Sequence, residues 1–145
     1  MSRALSLAVV AFAITGCGSS SPSLSRLRRQ ATAVCQRALA NSARIKPPVR
    51  PSATVPFLRR GASVLSTELS ELRTLKAPAE NVASYSSALG AQSRQLTILD
   101  DAIRDLDGGA DPVSAIKTLQ RRLAPTESAE AAAWRTLDIP ACVSR

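Results

Sequence analysis

Residues 82–107, VASYSSALGAQSRQLTILDDAIRDLD, decide the fold. Val82, Tyr85, Leu89, Gln92, Leu96, Leu99, Ile103 and Leu106 recur at alternating steps of three and four. Sustained over about three heptads, that spacing keeps one stripe turned toward a partner and is the pattern of left-handed helix packing. Gly108-Gly109 end it, since glycine reaches left-handed backbone at little cost. The spacing predicts a long amphipathic helix whose buried stripe has one polar amide, Gln92.

Working outward, three further segments carry helical periodicity. Leu24, Leu27, Ala31, Val34, Ala38 and Ile45 share a stripe with Cys35 and predict a helix from about Leu24 to Ile45. Arg26, Arg29, Arg37 and Arg44 project from its opposite side. Lys46-Pro47-Pro48-Val49-Arg50-Pro51-Ser52 ends it, because proline lacks an N–H and disfavours helical geometry in the residue before it. A second helix starts near Thr54, buries Leu58, Ala62, Leu65, Leu69 and Leu72, and stops before Pro78; Pro56 is tolerated in its first turn. Asp111-Pro112 read as the cap and first residue of a fourth helix. Its buried face is Val113, Ile116, Leu119, Leu123, Ala131, Trp134 and Leu137, and Pro125 is expected to kink or split it. Ile139-Pro140-Ala141-Cys142 forms a terminal strap. No alternating strand pattern occurs. Four amphipathic segments with mostly short connections predict an all-α, up-down-up-down four-helix bundle spanning residues 24–145.

The first 21 residues, MSRALSLAVVAFAITGCGSSS, are of a different kind. Arg3 precedes an apolar run from Ala4 to Ile14 that is too short to span a bilayer and suits the apolar region of a secretory signal. Ile14-Thr15-Gly16-Cys17 resembles the lipobox of bacterial lipoproteins. The resemblance implies a signal peptide over 1–16, with acyl chains such as palmitate on Cys17 as the first residue of the mature chain. Residues 17–23 then form a lipidated Gly/Ser/Pro tether. With Cys35 in the first helix and Leu137-Asp138-Ile139-Pro140-Ala141-Cys142 at the end, the chain is similar to small exported lipoproteins of high-GC Gram-positive bacteria. That likeness implies a lipid-anchored position on the extracytoplasmic face of the cell membrane. It carries over no functional site.

Lipidation removes Cys17 from a count of three cysteines, leaving Cys35 and Cys142 near the two ends of an exported chain. Disulfides persist in that compartment, and a bundle in which the fourth helix ends beside the first brings the two within reach. A Cys35–Cys142 bridge is expected, tying the strap to the first helix; two buried thiols acting as small hydrophobes are the other reading.

Charge is unevenly spread. Nine basic residues and no acidic one lie between Pro22 and Arg60, whereas nine basic and 11 acidic residues follow from Gly61 onward. The positive charge therefore sits beside the expected anchor. Arg26, Arg29, Arg37 and Arg44 read as a solvated face, as a face for anionic lipid headgroups, or as a face for an anionic envelope polymer. Nucleic acid is not expected as a partner, because no stacking aromatic lies among these arginines and the location is outside the cell.

Chemistry has few footholds. The chain has no histidine, the commonest general base near neutral pH and the commonest metal ligand. A bridged Cys35–Cys142 pair offers no thiolate, and neither a phosphate-cradling glycine loop nor a G-x-S-x-G motif occurs. No catalytic residue, cofactor or metal is therefore expected. Asp105-Leu106-Asp107-Gly108 has two carboxylates at alternate positions, but the remaining calcium-loop spacing and terminal glutamate are missing. A solvated helix end and an N-cap explain this segment as well. In the interior, Gln92 and Glu127 each interrupt an apolar stripe, and antiparallel third and fourth helices would set them at one level. Such a pair would form a specificity layer or the floor of a small ligand pocket, unless Pro125 rotates Glu127 to water. The sequence thus points to a non-enzymatic interaction or scaffold module with an unidentified protein partner, or alternatively to a small-ligand carrier.

Overall fold

The computed structural model describes residues 22–143; the expected signal peptide, Cys17 and most of the expected tether lie outside them. The described chain is all-helical, with α1 Leu24–Ser42, α2 Thr54–Arg73, α3 Val82–Asp107 and α4 Pro112–Thr136, and no strand among the described residues. Single 3-10 turns cover Pro51–Ala53, Ala79–Asn81 and Pro140–Cys142. No described helix is long and apolar enough to cross a membrane.

Local chemistry sets the ends. The Ser23 hydroxyl caps α1 by accepting from the Arg26 N–H, and the Asp111 carboxylate caps α4 by accepting from the Ser114 N–H at 2.9 Å. α3 ends where Gly109 takes a positive φ of 90°, and the N–H groups of Gly109 and Ala110 donate back to Leu106 and Asp105. α4 ends the same way without glycine. Asp138 adopts φ 55°, Ile139 donates to Trp134, and buried Ile139 packs over the turn. This stop folds the chain back onto α1, where the Arg28 side chain donates to the Leu137 carbonyl at 2.8 Å and pairs with Asp138 at 3.5 Å.

Three expectations need correction. α1 stops at Ser42 rather than Ile45, in a turn that starts ahead of the prolines. Pro125 does not split α4, which runs uninterrupted through it; the position is exposed, so water can satisfy the freed carbonyl. The α3 stripe is also broader than its spacing predicts. Ala88, Ala91, Gln95, Ile98 and Ala102 are buried beside Tyr85, Gln92 and Ile103, while Val82 is 48% exposed and Leu89, Leu96, Leu99 and Leu106 only half-buried. α3 packs against α2 on one side and α4 on the other, so it buries two stripes, and small residues face the close contacts.

Contacts pair early residues of each helix with late residues of its neighbour. Pro22 and Arg26 lie against Leu75 and Lys76, Arg59 meets Asp107, Tyr85 meets Leu72, and Asp101 meets Arg122. The interior divides in two. One core holds Leu27, Ala31, Cys35, Leu72, Tyr85, Trp134, Leu137 and Ile139; the other holds Leu58, Ala62, Ile98, Ala102, Ile103 and Leu119. Cys35 and Cys142 form a disulfide with Cα atoms 5.2 Å apart, closing a sequence separation of 107 and pinning the last turn to α1.

Candidate functional site

Between the two cores lies a band of buried polar side chains supplied by three helices. Glu68 of α2, Gln92 and Gln95 of α3, and Glu130 of α4 are all buried. The Gln92 amide, 0% exposed, donates to the Glu68 carboxylate at 3.1 Å. The Gln95 amide donates to one Glu130 oxygen at 2.6 Å, and the Trp134 indole N–H donates to the other at 2.9 Å. Hydrogen bonds of this kind offset part of the cost of taking these polar groups out of water. The Gln92 Oε1 has no hydrogen bond among the described residues. Close by, the Tyr85 hydroxyl donates to the Leu72 carbonyl at 2.6 Å, and its ring meets Trp134 edge-on at 5.8 Å. Burial raises the Tyr85 pKa from 10.0 to about 12, because the phenolate would be stripped of water.

The structure does not bring Gln92 and Glu127 together. Gln92 turns to α2, while Glu127 is exposed and stands on a groove of about 410 Å³ that also touches Gln95, Glu130 and Ser128. The physical reason is side-chain direction. Helical side chains lean toward their own N-terminus, away from the α3–α4 turn on α3 and toward it on α4. The residue that meets a given α3 side chain is therefore further along α4 than a symmetric count implies. Glu130, Gln95, Glu68 and Trp134 form the array that the symmetric count missed. Two signals pointed to it: the second amide one turn from Gln92, and Glu130 four residues before the only tryptophan of the chain.

The arginine face is not uniform. Arg37 is ion-paired with Glu71 of α2, which removes it from the free set. Arg26, Arg29 and Arg44 are exposed and carry no ion pair among the described residues, Arg26 and Arg29 near the start of α1 and Arg44 just beyond its end. Arg26 lines a groove of about 320 Å³ with Pro22, Gln30, Thr74, Leu75 and Lys76.

At the far end of α1, a shallow groove of about 490 Å³ joins Pro48, Val49, Pro51, Pro112, Val113 and Ile116. Val49 is 96% exposed and Val113 62% exposed, so Val113, expected in the core, lies instead on this surface. The helix it belongs to overhangs the core at its first turn.

Three aspartates near the α3–α4 turn, Asp101, Asp107 and Asp111, are engaged locally. Asp101 receives Arg104 and Arg122, the latter at 2.6 Å, and Asp107 receives Arg59 at 2.6 Å. The hydrogen bond from Arg122 holds the Asp101 carboxyl below its ordinary range, and the Ser114 N–H does the same for Asp111. Among the described residues no three His, Cys, Asp or Glu side chains converge as a metal site.

No family model, curated protein or solved structure matches this chain.

Proposed function

We propose that the chain is a lipid-anchored module of the cell envelope, held on the extracytoplasmic face through Cys17, with a non-enzymatic interaction or scaffold role. In this reading the domain is an up-down-up-down bundle with a disulfide-tied strap. The antiparallel contacts at Arg59–Asp107, Gln95–Glu130 and Asp101–Arg122 support that topology.

One observation carries the functional reading: the domain has two unlike ends. Pro22, five residues beyond Cys17, sits at the end where α1 begins. The exposed Val49 and Val113 sit past the other end of α1, a helix of 19 residues and so about 28 Å long. A tether at one end and uncovered apolar surface at the other suit a module that holds a partner away from a bilayer, since contiguous exposed apolar surface marks contact sites.

Two measurements test this. Mass spectrometry of the purified native chain should find acylated Cys17 at its N-terminus; an unmodified Cys17 inside an intact leader overturns the anchor. Affinity purification from detergent-solubilised membranes should recover a partner that is lost with Val49→Asp/Val113→Asp. Identical partner profiles for variant and wild type would remove the role given to this end.

A small-ligand carrier is the second reading, favoured by the groove that Glu127 and Glu130 share with Gln95. Two carboxylates there suit an organic cation. Thermal shifts with a panel of amines, absent in Glu127→Gln, would favour it.

A further inference from the structure

We infer that the groove between the start of α1 and the end of α2 docks the headgroups of anionic phospholipids, seating the domain end-on against the membrane. This rests on the membrane tether proposed above and assigns its partner.

Charge is the first argument. Most arginines of this bundle that touch another element are neutralised there: Arg28 by Asp138, Arg37 by Glu71, Arg59 by Asp107 and Arg122 by Asp101. Arg26 and Lys76 are different. They come from α1 and from the connection just after α2, line one concavity, are exposed, and carry no ion pair among the described residues. A phosphate within that concavity meets both cations at once.

The other lining groups fit the same ligand. Gln30 supplies an amide donor for a phosphate or ester oxygen, and Pro22 and Leu75 give an apolar rim for glycerol carbons. The volume of about 320 Å³ suits a headgroup. Exposed Arg29 and Arg73, each within a turn of groove residues, extend the positive field beyond a single phosphate, so a planar array of headgroups is favoured over one free anion. The carboxylates near this end are mostly engaged: Glu71 with Arg37 and Asp138 with Arg28, leaving Glu80 exposed in the turn that follows α2.

Position is the second, independent argument. Pro22 forms part of the groove, and five residues reach at most about 17 Å back to Cys17. An acylated Cys17 would therefore hold the groove within one short tether of the headgroup layer, where local phosphate concentration is high and weak contacts suffice.

The test uses the chain from residue 17 onward with Cys17→Ser, so that no acyl chain can attach. It is sedimented with vesicles of phosphatidylcholine alone or of phosphatidylcholine and phosphatidylglycerol in equal parts. The expected result is binding to the anionic vesicles only, falling steeply as salt rises. Arg26→Ala/Lys76→Ala should weaken that binding about tenfold or more, from two basic residues near a charged surface. Arg44→Ala/Arg50→Ala removes the same charge beyond the far end of α1 and should change it less than about twofold on the same argument. All four side chains are exposed, so both variants keep the fold, which circular dichroism checks.

Equal losses from the two pairs, or no binding of the unsubstituted chain to anionic vesicles, would overturn the groove. So would tighter binding to soluble polyglycerophosphate than to vesicles, which would make an envelope polymer the partner. Failure of the anchor is separable. Unacylated Cys17 in the native chain removes the tether whatever the vesicles show, and acylated Cys17 without vesicle binding removes only the groove.

Discussion

The half of the bundle nearest Pro22 and the half nearest Gly108 are built by different means. Near Pro22, all four helices and the last turn meet around Trp134, Tyr85, Leu72, Leu137 and Ile139, and a disulfide fixes the outermost helix. Near Gly108, only α2, α3 and α4 contribute to the core, its buried members are aliphatic with Phe57 half-buried against them, and the ion pairs Arg59–Asp107 and Asp101–Arg122 lie on its surface. Exposed pairs contribute little, about 0–1 kcal/mol each, whereas buried aromatics remove much apolar surface from water. The band of Glu68, Gln92, Gln95 and Glu130 separates the two. The more tightly built half thus lies beside the proposed membrane contact, and the apolar groove at Val49 and Val113 rides on the other. Local opening should therefore begin near Gly108, where buried apolar contact is sparser.

The largest expected effect comes from removing the crosslink that makes the halves unequal. For a sequence separation of 107, the chain-entropy model gives about 4–5 kcal/mol, with measured values often lower. Cys35→Ala/Cys142→Ala should lower the urea midpoint accordingly. Amide exchange in α1 should then rise to the level of the helices around Leu58 and Leu119. If α1 keeps its protection without the bridge, packing of Leu27, Ala31 and Val34 holds it instead, and the crosslink is not what makes the halves unequal.

Next in size is the polar band. Glu130→Ala leaves the Gln95 amide and the Trp134 indole N–H buried without their acceptor. Losing acceptors for two buried donors costs about 2–5 kcal/mol. Denaturant unfolding followed by Trp134 fluorescence reads both the stability and the indole environment. An effect under about 1 kcal/mol would mean that water enters from the adjoining groove and takes the place of the carboxylate.

How far the sequence revealed this contrast depends on the kind of residue. Helix existence is plain, because the steps of three and four at Leu27, Ala31, Val34 and at Leu58, Ala62, Leu65, Leu69 survive any choice of partner. So are the stop at Gly108-Gly109 and the start at Asp111-Pro112, which are local chemistry. The Cys35–Cys142 bridge followed from counting cysteines once an exported location was assumed. Lost to the reading were features that depend on how two helices face each other. Gln92 stands out in its stripe as a lone amide, yet its partner Glu68 belongs to α2 and not to the fourth helix. Val113 has the spacing of a core residue and lies on the surface, since periodicity does not tell where a bundle ends. The Asp138 stop was hidden as well, because a positive φ at an aspartate leaves no mark as clear as glycine. The residues of the arginine face are legible from their spacing, but the pairing that removes Arg37 from it depends on where α2 packs.

A third effect probes the interior beside Pro22 by pH. Tyr85 is the only tyrosine, so tyrosinate absorbance reports it alone. Its pKa is raised from 10.0 to about 12 by burial, so folding favours the neutral phenol. That contribution is complete below pH 10 and is lost as pH climbs through the folded value near 12. The shift corresponds to a loss on the order of 2–3 kcal/mol across that window. Titration should show tyrosinate forming together with unfolding. Ionisation near 10 with the helices intact would mean that Tyr85 meets water in the native state, and the half beside Pro22 is looser than its packing implies.

The smallest effect belongs to the other half. Asp101 accepts from Arg122 across the α3–α4 contact and from Arg104 on its own helix. The Arg122 hydrogen bond lowers its pKa below the ordinary 3.8, so the stability it adds is present above that value and fades as pH falls through the lowered one. Asp101→Asn should lower the neutral-pH melting midpoint by less than any change above, and high salt should shrink the difference further. Wild type and variant should converge in acid, once the carboxyl of Asp101 is protonated. Melting curves at neutral and acid pH, each at low and high salt, check this. A large loss at neutral pH that persists in acid would mean that the Asp101–Arg122 contact locks α3 to α4 through its geometry rather than its charge. The half near Gly108 would then be held as firmly as its counterpart.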